Sequence, residues 1–424
     1  MLNKIIDMLN ELGVELYRIN ENTTSSVELF FVKKNLDMRR IADKHQYSVT
    51  VFRDFVSDDK PMRGSSMALI DAVMSDDDLK SAISDAYYAA SFVKNPTFAL
   101  PEPQKSDCIL MESKMAHQPL ADTARQMASA IFAADNRKDS FVNSAEVFAQ
   151  RLDERIISST GTDVAYTKYV VKGEYVVQCS KPQDVEQYKD FSYDELSTDA
   201  LKRLVSDSLD AVEARAVAFE RPDAGNYEVI LTGSHLSEVL SYYLNRSCAR
   251  YIYPKYSNFA VGQSVQGDGI KGEKLNLTLR AKSPFSTEGI AMLDRTLTKD
   301  GILECVHGGA RFCSYLGVAP TGDYSSLILS NGQMPIDSMR SGKRLEVVTF
   351  SDFQMDGFSG HFSGEIRLAY LYDNGQRIPL TGGSINGNIF ECQSDLAFSS
   401  ERYTDSTYTG PLAMLVKNVS VAGK

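Results

Sequence analysis

No stretch of this 424-residue sequence approaches the ~20 consecutive apolar residues that a transmembrane helix requires, which leaves no membrane among its expected partners. Basic charge is also scarce: 45 lysines and arginines face 56 aspartates and glutamates, a formal net charge of -11. A duplex-binding domain presents a basic face to neutralise phosphates, so nucleic acid is set aside as a partner. The six cysteines, Cys108, Cys179, Cys248, Cys305, Cys313 and Cys392, are scattered, and no two form a Cys-x-x-Cys pair. In a chain of this length that pattern points to free, mostly buried thiols and a cytoplasmic setting. Among the five histidines no two stand one helical turn apart with a neighbouring glutamate, as a helical zinc-protease site needs. Glycine is scarce in one place only. Gly13, Gly64, Gly161 and Gly173 are the only ones before residue 222, which leaves 23 of the 27 for the remainder.

That asymmetry divides the chain. Glycine supplies tight turns and bulges, so the second half should be built of short strands and the first should carry the longer helices. The stretch Arg221-Pro222-Asp223-Ala224-Gly225 is the expected junction, giving an N-terminal α+β domain over 1–221 and a mainly antiparallel β domain over 222–424. The fold class is therefore α+β, and 43% hydrophobic residues suffice for well-filled cores.

Helical periodicity appears at 2–13, 76–92, 120–134 and 198–219, the last with Leu201, Leu204, Val205, Leu209, Val212 and Ala216 on one face. The opening segment carries acids among its apolar residues and no small-residue cleavage site, unlike a signal peptide. Strands are expected at 27–33, 47–55, 156–159 and 164–179, with Gly161 and Gly173 at hairpin turns. In the second half Tyr227–Leu231 reads as a strand, Thr232-Gly233-Ser234 as a helix start, and Leu236–Arg246 as a helix. Strands follow near 275–280, 325–330, 345–350, 364–372 and 412–422, with a turn at Asp373-Asn374-Gly375 and one more helix over 286–297.

Several constellations resemble reaction motifs and lack a required part. Gly267-Asp268-Gly269-Ile270-Lys271-Gly272 matches GxGxxG, but a strand-like Lys274–Leu279 follows where pyrophosphate would need a helix N-terminus. Gly357-Phe358-Ser359-Gly360-His361 has a histidine where a nucleophile elbow needs its last glycine, and reads as a bend between strands. His235 and Glu238, three apart at the head of the 236–246 helix, can share a face, yet two ligands hold zinc weakly. Cys305 and His307 alternate on a presumed strand and lack further ligands. Tyr242, Tyr243, Tyr251, Tyr253 and Tyr256 form an aromatic cluster suited to core or interface packing, or to a peptide-binding wall.

An ordered series in the second half carries a resemblance. It comprises Asp352-Phe353-Gln354, Phe358-Ser359-Gly360-His361-Phe362-Ser363-Gly364, Leu371-Tyr372-Asp373-Asn374-Gly375, Gly387-Asn388 and the closing Val419-Ser420-Val421-Ala422-Gly423. Together these resemble the TldD/PmbA family, once described as modulators of DNA gyrase and regarded as peptide-maturing metalloproteases. The first half fits more loosely, through its opening helix, Ser158-Ser159-Thr160-Gly161 and the 198–219 helix. The departures are informative. Active TldD-type subunits carry a His-Glu-x-x-x-His helix after the strand that corresponds here to Tyr227–Leu231, and a cysteine ligand near the C-terminus. Here 236–246 has no histidine pair, 403–410 has no cysteine, and Cys392 lies too early.

The resemblance therefore implies a PmbA-like, non-catalytic subunit with no metal or cofactor of its own, zinc being expected only in a TldD-like partner. Its partners would be that subunit, or a second copy, and an unfolded peptide laid along exposed sheet edges. Gly357, Phe358, Ser359, Gly360 and His361 are the expected groove residues. The alternative from another class is an active metallopeptidase or hydrolase with a non-standard site built from His235 and Glu238, with His361 as a third member. A scaffold with no peptide role is the third reading.

Overall fold

The computed structural model describes residues 1–330 and 332–424. The first half runs α1 (Leu2–Glu11), β1 (Leu16–Val32), β2 (Asn35–Ser57), β3 (Lys60–Asp71), α2 (Asp76–Ala90), β4 (Ile109–Leu110), α3 (Leu120–Ala134), β5 (Ser140–Ser158), β6 (Asp163–Cys179), β7 (Val185–Tyr193) and α4 (Thr198–Ala216). The second begins with β8 (Gly225–Thr232), α5 (Ser234–Arg246) and α6 (Ala249–Ile252). It continues through β9 (Leu277–Leu279), β10 (Arg295–Lys299), β11 (Ile302–Leu303), α7 (Ala310–Leu316), β12 (Leu327–Leu329) and α8 (Ile336–Met339). The closing elements are β13 (Arg344–Met355), β14 (His361–Asp373), β15 (Gln376–Leu380), β16 (Ser384–Asn388), α9 (Ile389–Cys392), β17 (Ala397–Phe398), β18 (Arg402–Thr404), β19 (Tyr408–Pro411) and β20 (Ala413–Ala422).

The architecture is the expected α+β, with all four first-half helices in place. Their local signals explain why. At α2 the Ser75 hydroxyl accepts from the Asp78 N–H at 3.2 Å, and Asp76, Asp77 and Asp78 place negative charge at the positive helix end. The first-half sheet is ordered β3-β2-β1-β5-β6-β4, with β7 also on β6, and is antiparallel except where β4 meets β6. On one stretch of it Val147, Val171, Tyr175 and Val177 pack with Met127 and Ile131 of α3 and Leu201, Val205, Leu209 and Val212 of α4. A separate core joins α1 and α2 to Ile19, Val49, Val51 and Ile70.

In the second half β13-β8-β20-β16-β14 closes on itself, because β14 pairs back to β13, and β15 adds outside this ring. Full closure removes free edges from these five strands. A six-stranded sheet, β11-β10-β9-β12-β19-β18, lies beside it. One core holds both together, including Leu231, Val347, Phe362, Ile385 and Val416 of the barrel and Leu236, Val239, Leu240 and Tyr243 of α5.

Three expectations need correction. Gly161 does sit in the β5–β6 turn, at φ +105°, but Gly173 lies inside β6 opposite Val147. A Cβ there would stand 2.0 Å from the Glu146 carbonyl oxygen, so the residue is small because the neighbouring strand passes close. Residues 286–297 form no helix. The Ser286 hydroxyl accepts from the Glu288 and Ile290 amides, Gly289 turns at φ +77°, and the chain enters β10 at Arg295. A serine that satisfies local amides in this way competes with the helix. The first-half strands are also longer than their apolar runs, since polar stretches such as Asn20–Ser26 pair on both sides. The GxGxxG segment is an irregular loop leading to β9, with the amides of Lys271 and Gly272 both donating to the Ser394 carbonyl.

Candidate functional site

Helix α5 follows β8 through Gly233, whose φ of +60° makes the sharp turn and whose missing side chain leaves the helix without a side-chain N-cap. His235 is in the first turn. Its ring packs edge-on against Phe350 at 4.8 Å and Phe353 at 5.6 Å, both from β13. Burial pushes its pKa down to about 4, and nearby Lys189 pushes the same way. Its Nδ1 is sealed from solvent with no hydrogen-bond partner among the described residues, although the residue keeps partial exposure and lines a cavity of about 360 Å³. That cavity lies between β7 and α4 on one side and the start of α5 on the other, where Lys189 Nζ stands 3.3 Å from Ser234 Oγ. Glu238 faces outward, with partial burial raising its pKa and the Met355 backbone opposing.

His361 stands elsewhere, at the start of β14 opposite Asn388. No group of three or more histidine, cysteine, aspartate or glutamate side chains able to hold a metal exists among the described residues. His235, wedged on two phenylalanines, and the outward Glu238 do not fit a zinc centre. Cys305 and His307 do not make one either. The His307 ring is buried, which pushes its pKa down, with Nε2 2.9 Å from the Leu244 carbonyl.

The second set, Gly357 to His361, is the tip of the β13–β14 hairpin. Sequence reasoning missed what shapes it, which is Asp356. Its carboxylate accepts from the Phe358 amide at 2.9 Å and the Ser359 hydroxyl at 2.5 Å, and these bonds hold its pKa low. The Asp356-Gly357 dipeptide was the available turn signal. Gly360 closes the turn at φ +74°, and a Cβ there would press on Ile389 at 2.9 Å. Phe358 is left 52% exposed, stacked on Tyr251 at 5.0 Å and edge-on to Tyr256 at 5.3 Å. Beneath it the buried Arg246, at the end of α5, donates to the carbonyls of Phe358 and Tyr256 and to Asn258. The same guanidinium lies over the rings of Tyr242, Phe259 and Phe390. The tyrosine cluster thus divides: Tyr242 and Tyr243 are core, while Tyr251 and Tyr256 extend the surface around Phe358.

A further cavity, of about 320 Å³, lies between the halves and brings Arg18, Arg250 and Arg311 together with Glu288, Asp323, Phe52, Phe98 and Phe312. Scattered from residue 18 to residue 323 over β1, β2, α6, α7 and the loops between, these residues carried no joint signal in sequence.

A long-stranded antiparallel sheet followed by a closed barrel is the fold of TldE from Thermococcus kodakarensis, which shares 16% identity and a TM-score of 0.78 over the whole of both chains. A proposed modulator of DNA gyrase from Bacteroides thetaiotaomicron has the same fold at 17% identity, with a TM-score of 0.77 over all of this chain and 98% of that one. Another from Thermotoga maritima does so at 13% identity and a TM-score of 0.75, over 99% of each chain. No curated protein sequence matches the chain. Residues 224–423 match the model of the PmbA/TldA metallopeptidase C-terminal domain, so the second half of this chain carries a domain of that family.

Proposed function

We propose that this chain is a cytoplasmic, non-catalytic subunit of a PmbA/TldD-type peptide-processing assembly. It encloses and presents unfolded peptide to a TldD-like partner, or to a second copy of itself, and zinc belongs to the TldD-like subunit. The observation that supports this most is the environment of His235. The helix after Tyr227–Leu231, where the resemblance puts the histidine pair of a metal-binding member, opens with a single histidine wedged on Phe350 and Phe353, while Glu238 points away. The wall around Phe358 supports the peptide role. Its exposed rings, fixed from below by Arg246, offer apolar contact to a chain that has no folded shape to recognise.

The test mixes the purified chain with the TldD-like subunit of the same organism and an unfolded peptide. Cleavage should occur in the mixture, be abolished by a chelator, and be absent with this chain alone. Phe358→Ala should slow the mixture several-fold without changing the melting temperature. Chelator-sensitive cleavage by the chain alone, lost on His235→Ala, would establish the hydrolase reading instead.

A further inference from the structure

The cavity between the halves is lined by three guanidinium groups and two carboxylates. Arg18 comes from β1, and Thr50 and Phe52 from β2, with Thr50 directly opposite Arg18 in the sheet. Ser65 of β3 is opposite Phe52, so the sheet contributes one polar and apolar wall. The second half contributes Arg250 of α6, Arg311 and Phe312 of α7, and Glu288 from the segment that replaces the expected 286–297 helix.

Arg18 is positioned in advance of any ligand. Its Nε donates to Asn20 Oδ1 at 3.3 Å, and Asn20 is anchored in turn on the Thr287 carbonyl at 2.8 Å. Its Nη1 lies 3.6 Å from Glu288 Oε1, too far for a hydrogen bond, and Glu288 already caps α7 by accepting from the Ala310 amide at 2.7 Å. The guanidinium is therefore largely desolvated, and burial depresses its pKa with only partial compensation from Glu288. Arg311 spends one N–H on Asn95 and lies 4.4 Å over the Phe312 ring. Among the described residues Arg250 makes no ion pair; it lies 5.6 Å over the Tyr251 ring and beside the Cys248 thiol, where it opposes the burial that raises that group's pKa. The cavity thus holds more guanidinium than carboxylate charge, unused N–H donors, and Phe52, Phe98 and Phe312 beside them. Planar guanidinium groups match carboxylates by paired N–H donation.

We infer that this cavity binds a carboxylate carrying an adjacent apolar group, with Arg18, Arg250 and Arg311 on the carboxylate and Phe52, Phe98 and Phe312 around the apolar part. The C-terminal residue of a peptide has this chemistry, and in that form the inference rests on the proposed peptide role. A free aromatic acid shares it.

Calorimetric titration of the full chain alone, with no partner and no cleavage, separates this inference from the subunit reading. The probes are N-acetyl-Ala-Ala-Phe with a free carboxylate, the same peptide amidated, and 3-phenylpropanoate. Saturable binding of the free acid, weakened tenfold or more by amidation and by Arg250→Met or Arg311→Met, is the expected result. Arg250 is exposed, so its variant should fold normally even if Arg18→Met does not. Binding of phenylpropanoate as tight as that of the peptide supports the site and assigns it to small acids. Equal binding of acid and amide, no saturable binding of any probe, or no effect of Arg250→Met and Arg311→Met overturns it.

Discussion

The two halves solve the same problem, covering a sheet, with different materials. In the first, β1, β2, β5 and β6 run 17, 23, 19 and 17 residues, and helices cover the sheet. In the second the longest strand among the described residues is β14, with 13, and the sheet covers itself by closing. Long antiparallel pairs fix their own register over many residues and need few special positions. Short strands bent into a barrel need close approaches, and glycine provides them. A Cβ on Gly387 would lie 2.3 Å from the Phe362 ring, and one on Gly364 would lie 2.6 Å from that of Phe350. The concentration of glycine after residue 222 is thus a packing requirement of the barrel as well as a turn requirement.

The strongest test of this contrast is Phe362→Ala. The ring is fully buried in the barrel core, and such truncations cost about 3–5 kcal/mol. Urea denaturation should show that loss, with hydrogen-exchange protection falling in β20 and persisting in β5 and β6. Equal loss of protection in both halves would mean that they form one cooperative unit.

Where the halves meet, His235 should make stability depend on pH. Its folded pKa, about 4, lies below the ordinary value of 6.5, so the unfolded chain binds the proton first. The stabilisation is complete above pH 6.5 and is lost as the pH falls toward 4, by on the order of 3 kcal/mol at about 1.4 per unit. Buried His307, also shifted down, adds to the same acid limb. His235→Phe should flatten that limb in denaturation curves at pH 7 and 4.5. Parallel curves for variant and parent would show that the ring does not titrate between these values.

A smaller effect separates the two first-half glycines. Gly173→Ala forces a Cβ against the Glu146 carbonyl and should cost about 1–3 kcal/mol, as overpacking does. Gly161→Ala meets only Pro103 at 3.6 Å, leaving the strain of φ +105° at roughly 1 kcal/mol. Equal melting temperatures for the two would remove the distinction between a packing glycine and a turn glycine.

The junction gives the smallest effect. Arg221, Asp223 and Ala224 are exposed, yet Lys424 N donates to the Pro222 carbonyl, Ala224 N to that of Lys424, and Thr381 N to that of Glu220. Removing residues 423–424 deletes two of these bonds, each at the low end of about 0.5 kcal/mol because Lys424 is exposed. Cleavage after Glu220 by a glutamate-specific protease should quicken roughly two- to tenfold on that basis. An unchanged rate would show that the strap does not protect the junction.

Sequence alone determined the elements whose signal is local. The four first-half helices, β8 with α5 behind it, and the hairpin turn at 357–361 follow from period, caps and glycine, because each is set by residues within a few positions. The lack of a helical histidine pair was equally legible, since ligand spacing on a helix is a short-range property. Tertiary structure alone decided the rest. It set the full length of the polar-centred strands, replaced the 286–297 helix by a serine turn, and closed the barrel through β13 and β14. It also gathered Arg18, Arg250 and Arg311 from distant segments into one cavity. Pairing across a sheet and convergence of side chains depend on contacts between residues far apart in the chain, and no periodicity within a short window records them.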